Sequence, residues 1–346
     1  MTSETATRLY AHEPRSLLPL LRAHLPHTLV IVGTILANRV SNDEKGPVDD
    51  DTPLPPPLPP VYATFPPPAH GGDVTLDTLR EAGIGEYEWL VAVALPLPSE
   101  QIRLHHALVA ATPDQQTGPA KAAAERTIEL AIREMARMYP TQLVVGNTHE
   151  MFESVTRRVV GGAERTKTYI YVAPHAGFGH TEIDLAGVGG VDKEGLVLDH
   201  GRPSDAPVVS LGLDHGCALL TRFQIFETNK YRLEEYYALR GAYTTCLRRR
   251  SDTVPNPNPC EVWVMTHGDG SLGALWTQPA FRRRGLAKVV MAEHLAKEEA
   301  RGVPGFCYIE EGNEASMKLF SSLGWSPLPW TTYWIYERSV ADDQEH

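Results

Sequence analysis

Apolar and polar positions along the chain divide into two successions of alternating and helical patterns. A helix is predicted from Pro14 through Leu17, Leu18, Leu20 and Leu21 to Leu25, with Pro19 disturbing it. The run His27–Leu36 (HTLVIVGTIL) reads as a buried strand. Residues 41–72 read as a loop, with an acidic run at Asp49–Asp51, a proline-rich tract at Pro53–Pro60 and a short strand at Tyr62–Phe65. Proline-rich tracts can be ligands for SH3-type domains, but a stiff surface loop is the plainer reading. Further strands are predicted at Glu88–Leu95, Gln142–Gly146 and Thr168–Val172. Helices are expected from a Ser99 cap through Leu108, over Pro119–Met138 and over Glu150–Val159. Of these, Pro119–Met138 has the clearest stripe, with Ile128, Ile132 and Met135 on one face. Gly161-Gly162 reads as a turn.

A second succession follows a glycine-rich stretch. It comprises a strand at Val208–Leu213, helices at His215–Phe226 and Lys230–Leu239, and strands at Tyr243–Arg249, Val262–Thr266 and Gly273–Thr277. After these come a helix opening at Arg282–Ala287, a strand at Phe306–Glu310, a helix at Glu314–Leu323 and a strand at Thr331–Glu337. His267-Gly268-Asp269-Gly270 joins two of the strands as a hairpin turn rich in residues that tolerate positive φ. The domains expected are an N-terminal α/β domain over 1–175, a linker over 176–207, a second domain over 208–340 and a tail over 341–346.

Charge and composition narrow the classes. A formal charge of −11 argues against a general nucleic-acid binder, because phosphate backbones demand a basic surface. No apolar run reaches the roughly 18 residues of a membrane span. Cys217, Cys246, Cys260 and Cys307 are scattered, which suggests neither zinc nor a disulfide framework and fits a reducing compartment. The N-terminus lacks a secretory apolar core. Its arginines faintly suggest a mitochondrial transit peptide, but Glu4 and Glu13 favour a cytoplasmic reading. His175, His180 and the twice-occurring Leu-Asp-His-Gly (198–201 and 213–216) invite a metal reading, but no paired helical spacing supports one. Turn and cap roles are preferred, and no metal is expected.

The chemistry concentrates in Ser271–Ala300. A strand ending at Pro279 feeds Arg282-Arg283-Arg284-Gly285-Leu286-Ala287, where a helix begins. A helix N-terminus offers free N–H groups and the positive end of a dipole, and a glycine there lets a ligand approach the main chain. Downstream stand Asn313-Glu314-Ala315-Ser316 and Leu323-Gly324-Trp325. With Arg282-x-x-Gly285-x-Ala287, these resemble the GNAT superfamily of N-acyltransferases in order and spacing, most clearly over Cys260–Trp325. Within that superfamily the glycine N-acyltransferase-like branch is the nearest likeness.

The resemblance implies a mixed α/β fold whose sheet, flanked by helices, splays between the strand ending at Thr277 and the strand Phe306–Glu310; the preceding α/β domain reads, from its size and β/α order, as a diverged copy. It implies acyl-CoA, acetyl-CoA above all, as co-substrate. The diphosphate would be held at Arg282, Arg283, Arg284, Gly285, Leu286 and Ala287, and the pantetheine along Leu275, Trp276 and Thr277, with Asn313 and Ser316 beside it. The alternative for Asn313 and Ser316 is a helix cap. The implied reaction is direct attack on the thioester by an amine of a small molecule or amino acid. The family's tyrosine near the leaving thiolate is replaced by Phe320, and the branch's glutamate base falls on Ser271. Asp269 and His267 are the nearby acid–base candidates, with Glu310 also close, although turn chemistry alone can explain the first two. Cys307 reads as a buried core thiol. A non-catalytic acyl-CoA-binding scaffold and a protein N-acetyltransferase remain as alternative functions.

Overall fold

The computed structural model describes residues 8–38, 61–69, 71–95, 101–139, 144–161, 165–174, 195–205, 244–253 and 258–336. In chain order its elements begin with β1 (Tyr10–His12), α1 (Leu18–Ala23), α2 (Leu29–Ala37), β2 (Val61–Ala63), α3 (Leu76–Glu81), β3 (Leu90–Ala94) and β4 (Gln101–His106). There follow α4 (Gly118–Met138), β5 (Val144–His149), α5 (Glu153–Val160), β6 (Arg165–Val172), β7 (Leu196–Asp199), β8 (Thr244–Arg249) and β9 (Cys260–Thr266). The last described elements are β10 (Leu272–Thr277), α6 (Leu286–Ala300), β11 (Phe306–Glu310), α7 (Glu314–Ser322) and β12 (Ser326–Tyr336). This is a mixed α/β fold with mostly antiparallel strands.

Two compact units divide the chain. The first gathers Met1–Ile35, Leu58–Tyr169 and Pro329–His346; the second gathers Leu36–Pro57 and Ile170–Leu328. The sequence puts the last strand in the domain 208–340, but the structure puts it in the first unit. The reason is pairing and burial: β12 runs antiparallel to β5 with Tyr333 opposite Thr148 and Ile335 opposite Val145, and Ile335 is fully buried. Nor is 176–207 simply a linker, because β7 lies within it and pairs antiparallel with β8.

Strands of the first unit are ordered β1-β2-β3-β4-β5-β12-β6. β3 is antiparallel to β4, and β4 is parallel to β5. Ile128, Ile132 and Met135 of α4 pack into a core with Leu90, Ile102 and Val145. The opposite face of that helix is laced by exposed Glu129–Arg133 and Glu134–Arg137 pairs. Two expectations fail here. Residues 29–37 form helix α2, not a strand: Val30, Ile31, Val32, Ile35 and Leu36 are all buried, so burial on every side erases the amphipathic period. Residues 101–106 form strand β4, not the helix expected from Ser99, which lies outside the described residues. Ile102 and Arg103, neighbours that point to opposite faces, are both buried, so the strand shows no alternation. Pro19 stands in the first turn of α1, where its missing N–H has no consequence, and a 3-10 turn over Pro14–Leu17 precedes it.

In the second unit the strand order is β7-β8-β9-β10-β11. Leu286, Val290, Met291 and Leu295 of α6 are buried. His294, on the same side of that helix, accepts or donates between Thr245 Oγ1 of β8 (3.0 Å) and Thr266 Oγ1 of β9 (2.9 Å). The helices expected at 215–226 and 230–239, the strand at 208–213 and the proline-rich tract lie outside the described residues.

Candidate functional site

β9 and β10 pair antiparallel through the turn His267–Gly270, where Gly270 adopts φ 81° and its N–H donates to His267 O at 2.9 Å. The ladder is in register at Leu272–Thr266 and Gly273–Met265, then shifts before resuming at Trp276–Trp263. Ala274 takes up that shift with φ 52°, a left-handed conformation rare for a residue with a Cβ. This β-bulge takes Ala274 and Leu275 out of the ladder pairs and re-aims their peptides. On its other side β10 runs parallel to β11, but they share only the register pair Leu272–Cys307. Past that rung Gly273–Thr277 are half-buried. Beyond Leu272 and Cys307 these two strands form no further register pair, and the bulged main chain lies along that unpaired stretch.

β10 then leads through a 3-10 turn at Pro279–Phe281 to α6. Arg283 (φ 62°) and Gly285 (φ 76°) are both left-handed, which turns the chain sharply into the helix. Gly285 is the N-cap. It provides no side-chain cap, and no acidic residue occupies the first turn of this 15-residue helix. Among the described residues its leading N–H groups thus meet no side-chain cap, and no first-turn acid offsets the positive end of the dipole. Such a turn can seat an anion through its main chain. Two of the arginine side chains have partners within the protein. Arg282 folds back, its Nε donating to Thr277 O at 3.0 Å and its guanidinium lying 4.6 Å from the Trp276 ring centre. Arg284 lies 5.4 Å from the Phe281 ring centre. All three arginines are exposed, so they add cationic field while the glycine shapes the seat.

Three candidates named from sequence meet at the hairpin. Asp269 is 1% exposed and Ser271 is fully buried. Asp269 Oδ1 accepts from Ser271 Oγ at 2.6 Å and from Ser271 N at 3.1 Å. Sequence reasoning missed the partner on the neighbouring strand: Tyr308 Oη donates to Asp269 Oδ2 at 3.3 Å. The sequence marks Tyr308 only as a polar-tipped position between apolar Cys307 and Ile309 in a short strand. His267 is exposed, and its imidazole rests against Gly273, where a Cβ would come within 1.8 Å of Nε2.

Asn313 Oδ1 accepts from Ser316 N at 3.1 Å, so these two candidates are joined as the N-cap of α7. Phe320 is buried edge-on against Trp325, with ring centres 4.9 Å apart. Burial pushes the Cys307 thiol well above its ordinary range, which removes it as a nucleophile near neutral pH. Asp199, from the first Leu-Asp-His-Gly, serves an ion cluster: Arg248 donates from Nε to Asp199 (2.8 Å) and through Nη1 and Nη2 to Asp205 (2.6 and 2.5 Å). His175, His180 and the second such tetrapeptide lie outside the described residues. Among the described residues no cluster of three or more His, Cys, Asp or Glu is arranged to hold a metal, and no helix is long and apolar enough to cross a membrane.

Residues 257–335 match the family model described as FR47-like protein. No curated protein matches the chain. Among solved structures, a Drosophila protein from a structural genomics programme is similar over 95% of this chain and 98% of its own, at 15% identity and a TM-score of 0.58. A tandem GNAT protein from the clavulanic acid biosynthesis pathway covers the same shares at 13% identity and a TM-score of 0.42. An acetyltransferase from the GNAT family of Colwellia psychrerythraea covers 96% of this chain and 100% of its own at 9% identity and a TM-score of 0.40.

Proposed function

We propose that the second unit is an acyl-CoA-dependent N-acyltransferase of the GNAT type, moving an acetyl or other acyl group to an amine of a small molecule or amino acid. One observation carries this reading: an opened strand pair with a bulge leads directly into a helix start that has no cap of its own. The match of 257–335 to the FR47-like family model supports it, since that stretch spans both features. The N-terminal amides of α6, shaped by Gly285, would take the diphosphate of CoA, and the half-buried edge of β10 would pair with the amide-bearing arm. A main-chain N–H released by the bulge can stabilise the thioester oxygen as it becomes an oxyanion. Holding both substrates in one complex replaces a bimolecular encounter with an oriented one. The glycine N-acyltransferase-like branch remains the nearest likeness for the acceptor class.

A second reading, an acyl-CoA-binding protein without turnover, is favoured by one observation: Phe320, packed on Trp325, has no proton to give a leaving thiolate. One experiment separates the two. Purified protein is titrated with acetyl-CoA in a calorimeter, then incubated with a panel of small amines and amino acids while free thiol is monitored. Binding with amine-dependent CoA release establishes the transferase, and binding without release establishes the second reading. Absence of binding removes both.

A further inference from the structure

Resting on the acyltransferase reading, we propose that Tyr308 is the catalytic base that deprotonates the acceptor amine, with Asp269 as the terminal proton acceptor and Ser271 as the residue that positions it. Tyr308 follows Cys307, the β11 member of the single rung closing the strand gap, so it stands at the narrow end of that opening. This end lies farthest along β10 from the helix start proposed for the diphosphate, so it is where a thioester would arrive. The neighbouring Phe306 ring meets Tyr308 edge-on, with centres 6.0 Å apart, and Phe306 is fully buried, which fixes the phenol's direction. Asp269 is too buried to meet a substrate itself. Its Oδ1 is held by the Ser271 hydroxyl and amide, and its Oδ2 receives the phenol hydrogen, so half-buried Tyr308 is the accessible end of a two-bond path.

The step balances as follows. The acceptor ammonium gives one proton to Tyr308 Oη while the phenol proton passes to Asp269 Oδ2, leaving a neutral amine. Its lone pair forms the C–N bond to the thioester carbon, and the C–S bond breaks to release a thiolate. The second nitrogen proton passes to the thiolate sulfur, and the Asp269 proton returns through Tyr308 to water. In this scheme Ser271, standing where the resemblance places a glutamate, needs no basicity: the carboxylate comes from the turn two residues earlier.

Acetyl-CoA and a panel of small amines test this with Tyr308→Phe and Ser271→Ala. The expected result for Tyr308→Phe is a fall in kcat of about 100-fold at pH 7.5 with the acetyl-CoA KM unchanged, the size usual for loss of a general base. The deficit should shrink to within about threefold as the pH approaches the amine's own pKa, because free amine then needs no base. A merely structural tyrosine would not be rescued in this way. His267 on the turn and Glu310 on β11 are the rival bases, so a large, pH-rescued deficit in His267→Gln or Glu310→Gln in place of Tyr308→Phe overturns the relay. Ser271→Ala should show a smaller loss with the same rescue. Wild-type kcat in Tyr308→Phe, or an equal deficit at every pH, overturns the relay and leaves the transferase reading standing. Acetyl-CoA binding with no amine-dependent turnover in the wild type overturns both.

Discussion

Leu272 and Cys307 form the one register pair between β10 and β11, and past it the two parallel strands share no further pairing. A parallel pair normally continues along both strands with evenly spaced bonds, so a ladder that stops after one rung leaves main-chain groups without sheet partners. The bulge at Ala274 lies just beyond this rung, and the uncapped start of α6 lies one turn past the end of the same strand.

Gly285→Glu tests the helix start directly. The new carboxylate would stand beside the diphosphate and the side chain would crowd the main-chain approach. Acetyl-CoA affinity should fall at least 100-fold by calorimetry. Placing a Cβ at φ 76° costs about 1 kcal/mol, so thermal unfolding should shift by only a few degrees. Unchanged affinity would move the binding site elsewhere in the protein.

Arg248 makes the second test, of stability. Its guanidinium is 1% exposed and holds Asp199, Asp205, His200 O and Asn258 O. Arg248→Leu leaves buried Asp205 without its cation and Asp199 with Arg202 alone, so the loss should be about 3 kcal/mol in denaturant unfolding. Arg248→Lys should recover only part of it, since a single ammonium cannot reproduce the planar fork. A loss under 1 kcal/mol in the leucine variant would refute this account of the first Leu-Asp-His-Gly.

Acid sensitivity should come largely from imidazoles of the first unit. His24 stands edge-on to Trp89, His105 is 5.5 Å from the same indole by ring centres, and His27 stacks on Trp330 at 4.3 Å. Burial lowers all three; His105, crowded also by His24, His106, His27 and His149, falls well below the usual range. Burial likewise lowers His106 and His149 to about 4. A depressed folded-state value means the neutral form is the one folding stabilises. The contribution is complete above the unfolded value near 6.5 and is lost as the pH falls toward 4, because the unfolded chain binds protons first. His106 and His149 should each withdraw on the order of 3 kcal/mol by pH 4. The melting temperature should therefore drop steeply between pH 6.5 and 4, and less steeply in His106→Gln. A flat profile over that range would contradict the burial of these rings.

Features carried by consecutive residues are legible in the sequence. The α4 stripe, the His267–Gly270 turn and the Arg282–Ala287 helix start each announce themselves within a few residues, because local period and glycine position set them. Burial on all sides hid others: α2 and β4 are apolar or filled on both faces, so neither shows its period. Contacts between distant positions were hidden for another reason. The path from Ser271 through Asp269 to Tyr308 joins residues up to 39 positions apart, and the grouping of His24, His27, His105, His106 and His149 exists only once the strands are assembled. The contact of Arg282 with Trp276 was hidden as well, since it depends on the bulge that turns β10.

Asn38, at the end of α2, donates from Nδ2 to Gly268 O at 2.7 Å, and Arg301 donates to Ala37 O at 3.0 Å. The hairpin that presents Asp269 is thus tethered by a side chain 230 positions upstream. A fragment trimmed to 208–340 would discard both anchors, so dissecting this protein for expression by one incision before the transferase-like stretch would amputate part of that unit's own scaffold.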